Sequence, residues 1–176
     1  MEELVIALKE LKYLTKSDKK ELLNLGSFNK RLFYQKLIFL LSLKTKALDY
    51  HFNWYLRGPY SPGLTRDLFA IEELLHERRP YINNLINRNA GNQVVDDGVE
   101  GIRALESSFH QEFHQDWEAE DLEVLASLAF IERYTYEKCK GSKHETINEF
   151  RDRKPELADQ KSIERYWKVL QSSNFV

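Results

Sequence analysis

The tract around residue 58 constrains the fold of this chain more than any other feature, because it fixes a turn immediately before a helix. It consists of Gly58, Pro59, Tyr60, Ser61 and Pro62. Glycine accepts positive φ values, and proline holds φ near about −65°. A serine followed by a proline is typical of a helix N-cap and first helical position. The tract therefore predicts a structural turn and a helix over residues 61–78.

This turn has two functional interpretations and one structural one. A helix N-terminus beside Arg57 suits an anion or a nucleic-acid backbone, because its free amides and its dipole favour negative charge. The aromatic residues Trp54, Tyr55 and Tyr60 could instead stack on bases or form a protein-binding hot spot. The structural alternative is a tight turn that only buries these rings, and we expect burial of at least two of them.

Apolar periodicity predicts a mostly helical chain. We expect helices over residues 3–14, 29–43, 61–78, 99–113, 118–138, 143–153 and 160–171, with a short helix that Ser17 caps and Gly26 ends. The aromatic residues 50–55 favour a short strand. The turn signals between residues 89 and 98 predict a small wing-like hairpin.

Part of the chain resembles a known group. The run Lys36-Leu37-Ile38-Phe39-Leu40-Leu41, the pieces Tyr50-His51-Phe52 and Arg57-Gly58-Pro59-Tyr60-Ser61, and then Leu64 and Asp67-Leu68 carry the resemblance. This pattern resembles the YwgA-like uncharacterised prokaryotic proteins and, more distantly, the Panacea antitoxin domain. The resemblance implies a winged-helix-like core, and it implies action largely through protein contacts for the Panacea group.

These observations predict a mainly α fold with minor β structure in a single compact unit. We expect N-terminal helices over residues 1–27, a winged-helix-like core with a small hairpin over residues 28–105, and a C-terminal helical extension over residues 106–176. At 176 residues the chain is long enough for one well-packed domain.

Charge is unevenly distributed along the sequence. Residues 28–66 contain seven Lys and Arg but one acid, Asp49, whereas residues 106–123 contain seven Asp and Glu and no Lys or Arg. The basic segment favours phosphate contacts. The acidic block is open to three interpretations: a solvated face, a docking surface for a basic partner, or a screen against DNA.

The sequence offers little support for catalysis. It has no P-loop, dinucleotide fingerprint or GxSxG motif, and the single Cys139 excludes an internal disulfide framework. His110 and His114 lie four residues apart, but a polar helix face explains that spacing. We therefore expect no enzymatic activity, no cofactor and no metal. The N-terminus lacks the pattern of a signal peptide, so a cytoplasmic location without membrane contact is expected.

The favoured function is a non-enzymatic, DNA-associated regulator of winged-helix type that acts in transcription. Its expected phosphate contacts on double-stranded DNA are Lys30, Lys44, Lys46, Arg57 and Arg66. The alternative is an antitoxin-type protein interaction module without direct DNA binding. Its partner would be another protein or a second copy in a dimer. In that case Arg57 and Arg66 would pair with the acidic block over residues 106–123, within one molecule or across a dimer.

Overall fold

The computed structural model describes residues 1–14, 23–77, 80–87 and 93–176. Its helices and strands, in chain order, are α1 (Glu2–Glu10), α2 (Phe28–Ser42), β1 (Asn53–Tyr55), β2 (Gly58–Tyr60), α3 (Pro62–His76), α4 (Pro80–Asn87), α5 (Gln93–Phe113), α6 (Ala119–Tyr134), a 3₁₀ turn (Glu137–Cys139), α7 (Lys143–Arg153), α8 (Pro155–Gln160) and α9 (Ile163–Ser172). The fold is therefore mainly α with minor β structure, as the sequence predicts. Among the described residues, no helix is both long and apolar enough to cross a membrane.

Two helices lie at the centre of the core. Every residue of α2 from Tyr34 to Leu41 is buried, and so is every residue of α6 from Asp121 to Ile131. Helices that are buried on all sides must be surrounded by other elements. The helices α2 and α6 pack against each other, α5 packs against α2, and α7 and α9 pack against α6.

The paired apolar faces of α2 and α3 are confirmed as parts of one core. Leu37 and Leu40 on α2 are buried, and so are Leu68 and Ile71 on α3. The predicted start of α3 is also confirmed. Ser61 is the N-cap, its Oγ accepts a hydrogen bond from the amide of Leu64 at 3.4 Å, and a proline occupies the first turn.

The β structure is a short antiparallel hairpin between α2 and α3. Its register places Trp54 opposite Pro59 and Tyr55 opposite Gly58. Gly58 has a φ of 80°, which confirms the predicted need for glycine at this turn. The first strand is shorter than the predicted strand over residues 50–55 and begins at Asn53.

The wing-like hairpin predicted over residues 89–98 is wrong for its second half, because residues 93–98 belong to α5. Val95, Val99 and Ile102 are buried at helical spacing, so they extend the helix toward the N-terminus. Gly98, taken as a turn residue, allows close packing instead: a Cβ atom there would lie 2.9 Å from Thr45 Cγ2. Residues 89–92 lie outside the described residues.

Other differences concern the ends of elements. The first helix ends at Glu10 instead of residue 14, α6 ends at Tyr134, and α9 begins at Ile163 after the separate helix α8. Ser17, the predicted cap of a second helix, lies outside the described residues, and residues 23–26 are not helical. The helix over residues 143–153 is confirmed at both ends.

Candidate functional site

A buried ionic cluster lies beneath the hairpin. Glu123 on α6 has a side chain that is 1% exposed, and its carboxylate accepts hydrogen bonds from Lys154 Nζ at 2.5 Å and from Arg57 Nη1 at 3.1 Å. Lys154 also donates to the carbonyl of Leu56 at 3.1 Å. One carboxylate thus connects the hairpin turn to the start of α8.

Lys36 on α2 completes this cluster. Its ammonium group donates to the carbonyl of Pro59 at 2.6 Å, and the residue is 1% exposed. Burial lowers the pKa of Lys36 to about 7, and the negative charge of Glu123 only partly opposes this shift. The positive charges of Lys154 and Arg57 lower the pKa further. We call these four residues, Lys36, Arg57, Glu123 and Lys154, the base cluster.

A buried amide fixes the end of the hairpin to α2. Gln35 Nε2 donates to the carbonyl of Ser61 at 2.9 Å, and the amide of Ser61 donates to Gln35 Oε1 at 2.9 Å. The same Nε2 donates to Thr65 Oγ1 at 2.8 Å. This reciprocal pair satisfies the backbone groups of Ser61, so the hairpin and the first turn of α3 are held in one position.

Gly58 lies directly against α6. A Cβ atom at this position would lie 2.4 Å from Ser127 Oγ, which is closer than real Cβ contacts allow. The hydroxyl of Ser127 is buried and has no hydrogen-bond partner within the described part of the chain. The close approach and the positive φ together explain why only glycine fits this turn.

Trp54 covers one side of the base cluster. Its ring lies 4.7 Å from the guanidinium carbon of Arg153 and 5.7 Å from Lys154 Nζ. Its other contact is the ring of Phe130, at 5.8 Å between centroids. The tryptophan therefore shields the buried charges and stabilises the cations through its π-face.

The outer side of the hairpin turn is exposed and apolar, in contrast to the buried charges beneath it. Leu56 is 90% exposed, Tyr55 is 56% exposed, and Phe28 at the start of α2 is 52% exposed. The guanidinium carbon of Arg57 lies 5.9 Å from the centre of the Phe28 ring, which places Phe28 beside the turn. We call Phe28, Tyr55 and Leu56 the tip patch.

The structure separates the predicted phosphate contacts. Lys30 and Arg57 lie near the start of α2, whereas Lys44 and Lys46 lie beyond its end, and α2 has 15 residues and thus spans about 20 Å. Lys44 donates to the carbonyl of Asn174 and lies 4.4 Å from the ring of Phe175. Arg66 on α3 is 83% exposed. The five cations therefore do not form one continuous row.

Intramolecular pairing explains much of the acidic block. Glu112 pairs with Arg165 at 2.9 Å and with Lys168 at 2.6 Å. Asp121 accepts hydrogen bonds from Tyr166 at 2.6 Å and Lys161 at 3.1 Å. Much of the block thus holds the region from α8 to α9 against α5 and α6. These paired acids are neither simply solvated nor free for docking.

The described residues contain no cluster of three or more His, Cys, Asp and Glu side chains that could hold a metal ion. Cys139 is buried, and burial raises the pKa of its thiol. A high pKa keeps a thiol protonated and unreactive. His110 lies 3.6 Å from Asp116 on the surface.

Sequence reasoning missed the base cluster as a unit. Lys36 belongs to the basic segment that favours phosphate contacts, but it is buried because α2 is covered on all sides. One signal was available: Lys36 stands inside a run that is otherwise almost entirely apolar. The alternative pairing of Arg57 with the acidic block is confirmed at Glu123, 66 residues away, but no local signal identified that residue.

No protein-family model matches this chain, and comparisons with curated proteins and with solved structures find no significant similarity. The resemblance to YwgA-like proteins and to the Panacea domain stays a prediction.

Proposed function

We propose that this protein is a non-enzymatic interaction module that binds a protein partner through the tip patch. The observation that carries the proposal is the contrast between Leu56, which is 90% exposed, and the buried groups that hold the hairpin below it. An exposed apolar side chain on a fixed backbone loses little conformational entropy when a partner covers it.

The composition of the tip patch supports this function. Binding hot spots are enriched in aromatic residues and arginine, and here the ring of Phe28 lies beside Arg57 while Tyr55 is exposed two residues before it. The rings of Tyr55 and Tyr60 are in contact, with centroids 5.2 Å apart, so Tyr55 is oriented by a neighbour. The hydroxyl of Tyr60 in turn accepts a hydrogen bond from Thr65 on α3 at 3.0 Å.

DNA binding stays a prediction with weaker support. The five expected phosphate contacts lie near both ends of α2 and on α3 and do not form one continuous row. The outer face of α3, which would be the recognition helix, forms a shallow groove that combines Arg66 with Phe69, Glu73, His76 and Glu77. Acidic side chains on that face repel phosphate.

The proposal is tested by site-specific photocrosslinking in cells. A benzophenone amino acid at position 56 should give a reproducible adduct with one protein partner. The same probe at Tyr136, an aromatic residue with 52% exposure outside the tip patch, should not. Absence of any specific adduct at position 56 would remove the proposal.

A gel-shift series at low salt tests the DNA alternative on the same preparation. The double variant Arg57→Ala and Arg66→Ala should weaken binding to every duplex if these side chains contact phosphates. Sedimentation of that variant reports whether it remains folded and in the same assembly. If the natural protein shifts no duplex, DNA binding is excluded and the interaction module remains.

A further inference from the structure

Resting on the proposed function, we infer that the segment covering the tip patch is acidic: Asp or Glu carboxylates flank an apolar side chain that packs on Leu56 and Phe28. The occupant is thus an acidic segment of another protein. The inference depends on the charges around the patch, on the hydrogen-bonding capacity of Arg57 and on the apolar surface between them.

The base cluster leaves positive charge uncompensated beneath the patch. Two cations, Arg57 and Lys154, face the single carboxylate of Glu123, and Lys36 is not counted because burial lowers its pKa to about 7. Arg153 stacks on Trp54 next to this cluster and pairs with Glu149 at 2.6 Å, so this pair adds no net charge. In a poorly solvated region such an imbalance favours the approach of an anionic group.

Two further cations surround the aromatic part of the patch. The guanidinium carbon of Arg31 lies 5.9 Å from the centre of the Phe28 ring, the same distance as that of Arg57. Lys30 is exposed two residues further along α2. Phe28 therefore stands between basic groups, and acidic side chains on both sides of an apolar anchor complement this arrangement.

Arg57 has the geometry to accept such a carboxylate. Its Nη1 atom binds Glu123, but a guanidinium group carries five N–H donors, and the side chain is 48% exposed. Carboxylates bind guanidinium groups through paired hydrogen bonds, which are strong and directional. A partner carboxylate would thus reduce the surplus charge of the base cluster from the solvent side.

The apolar component distinguishes an acidic peptide from a nucleic-acid backbone. Leu56 and Phe28 present aliphatic and aromatic surface between the cations, and a phosphodiester chain has no apolar group to cover Leu56. A protein segment satisfies both features at once, because apolar contact and ion pairing alternate along its length.

The experiment uses the full chain with the photocrosslinker at position 56. It compares two single charge reversals, one near the start of α2 and one beyond its end. Lys30→Glu places an acid beside Phe28, and Lys46→Glu makes the same change beyond the other end of the helix. We expect Lys30→Glu to reduce the adduct by roughly fivefold or more, and salt at about 0.5 M to reduce it similarly. Lys46→Glu should leave the adduct unchanged, and thermal melting should show that both variants are folded.

Mass spectrometry of the adduct then identifies the partner segment, which we expect to be rich in Asp and Glu. A neutral or basic segment, a second copy of this chain, or an adduct that nuclease removes would each overturn the inference. So would an adduct that neither salt nor Lys30→Glu changes, although the proposed function would then stand. If no adduct forms at position 56, the proposed function itself fails and this inference with it.

Discussion

The two sides of the hairpin turn reverse the usual distribution of side chains in a protein. On the inner side, a carboxylate and two ammonium groups are buried among the helices, while on the outer side a leucine and a tyrosine face solvent. In the helical body the pattern is the ordinary one, with apolar residues inside. The difference shows that the hairpin is not held by burial of its own apolar surface.

A hairpin of two three-residue strands cannot form a core, because it has too few side chains. It is instead fixed by hydrogen bonds from Lys36 and Lys154 to its carbonyl groups. Buried ion pairs contribute little net stability, but removal of one partner is costly, so such a cluster specifies one position. Rigid placement is useful only if the position of the turn matters.

The largest expected effect comes from removal of the one carboxylate in the base cluster. Glu123→Gln leaves the buried Lys154 and the half-exposed Arg57 without their counter-charge and should lower the free energy of unfolding by about 3–5 kcal/mol. Urea denaturation measures the loss. The matched control is Glu120→Gln, which breaks a more exposed pair with Lys161 at 3.3 Å and should cost less than about 1 kcal/mol. Equal effects of the two changes would contradict the role of the cluster.

The second prediction concerns Gly58, the residue of the hairpin that lies directly against α6. Gly58→Val should destabilise the protein by a few kcal/mol, because φ is positive and a Cβ atom would collide with Ser127 Oγ. Gly58→Ala adds only the Cβ atom, without the two methyl groups of valine, and should cost about 2–3 kcal/mol. Thermal unfolding provides the measurement.

Ser127→Ala separates the two causes of that loss. On its own it should be nearly neutral, because the hydroxyl has no partner in the described part of the chain. Combined with Gly58→Ala it should recover the part caused by the collision and leave the part caused by the backbone conformation. No recovery would show that the backbone conformation alone requires glycine.

Local patterns predicted much of the fold but only part of the site. Ser61 and Pro62 predicted the start of α3, and the spacing of Leu37, Leu40, Leu68 and Ile71 predicted the common core. Such signals are contained in a few neighbouring residues. The predicted wing-like hairpin over residues 89–98 was wrong for its second half. Gly98 resembles a turn residue, but it allows α5 to approach Thr45 closely.

The base cluster was not predictable in the same way. Lys36 lies in a basic segment, and only its complete burial in the folded chain shows that it cannot contact a phosphate. The partners of Glu123 lie 66 residues before it and 31 residues after it. Contacts over such distances depend on the packing of α2, α6 and α8, which no local pattern encodes.

The third prediction uses pH to test the burial of the Lys36 ammonium group in the base cluster. The unfolded Lys36 titrates near a pKa of about 10.5, whereas in the folded protein its pKa is about 7. Between these values the unfolded chain binds more protons, so stability should rise with pH, by about 2 kcal/mol from pH 7 to pH 9. Below pH 7 both states are protonated and this contribution stays at its minimum.

Lys36→Met is the control for that prediction, because methionine keeps most of the side-chain volume without a charge. Urea denaturation across the same pH range should show the increase for the natural protein and its loss in the variant. The charges nearest to Lys36 are those of Glu123, Lys154 and Arg57, and they are unchanged by the substitution. An identical pH dependence in both proteins would assign the increase to other groups.

The smallest expected effect on stability is at the tip, and it completes the comparison. Leu56→Ser removes apolar surface that is already in water, so the free energy of unfolding should change by less than about 0.5 kcal/mol. Binding should respond in the opposite way, because a central apolar anchor contributes strongly to association. With the crosslinker moved to Tyr55, the partner adduct should fall at least tenfold in Leu56→Ser while the melting temperature stays the same. A variant that loses stability would show that Leu56 packs within the chain, and one that keeps its partner would show that the exposed leucine is not the anchor. Loss of binding at unchanged stability is expected only if the base holds the hairpin and the tip binds the partner.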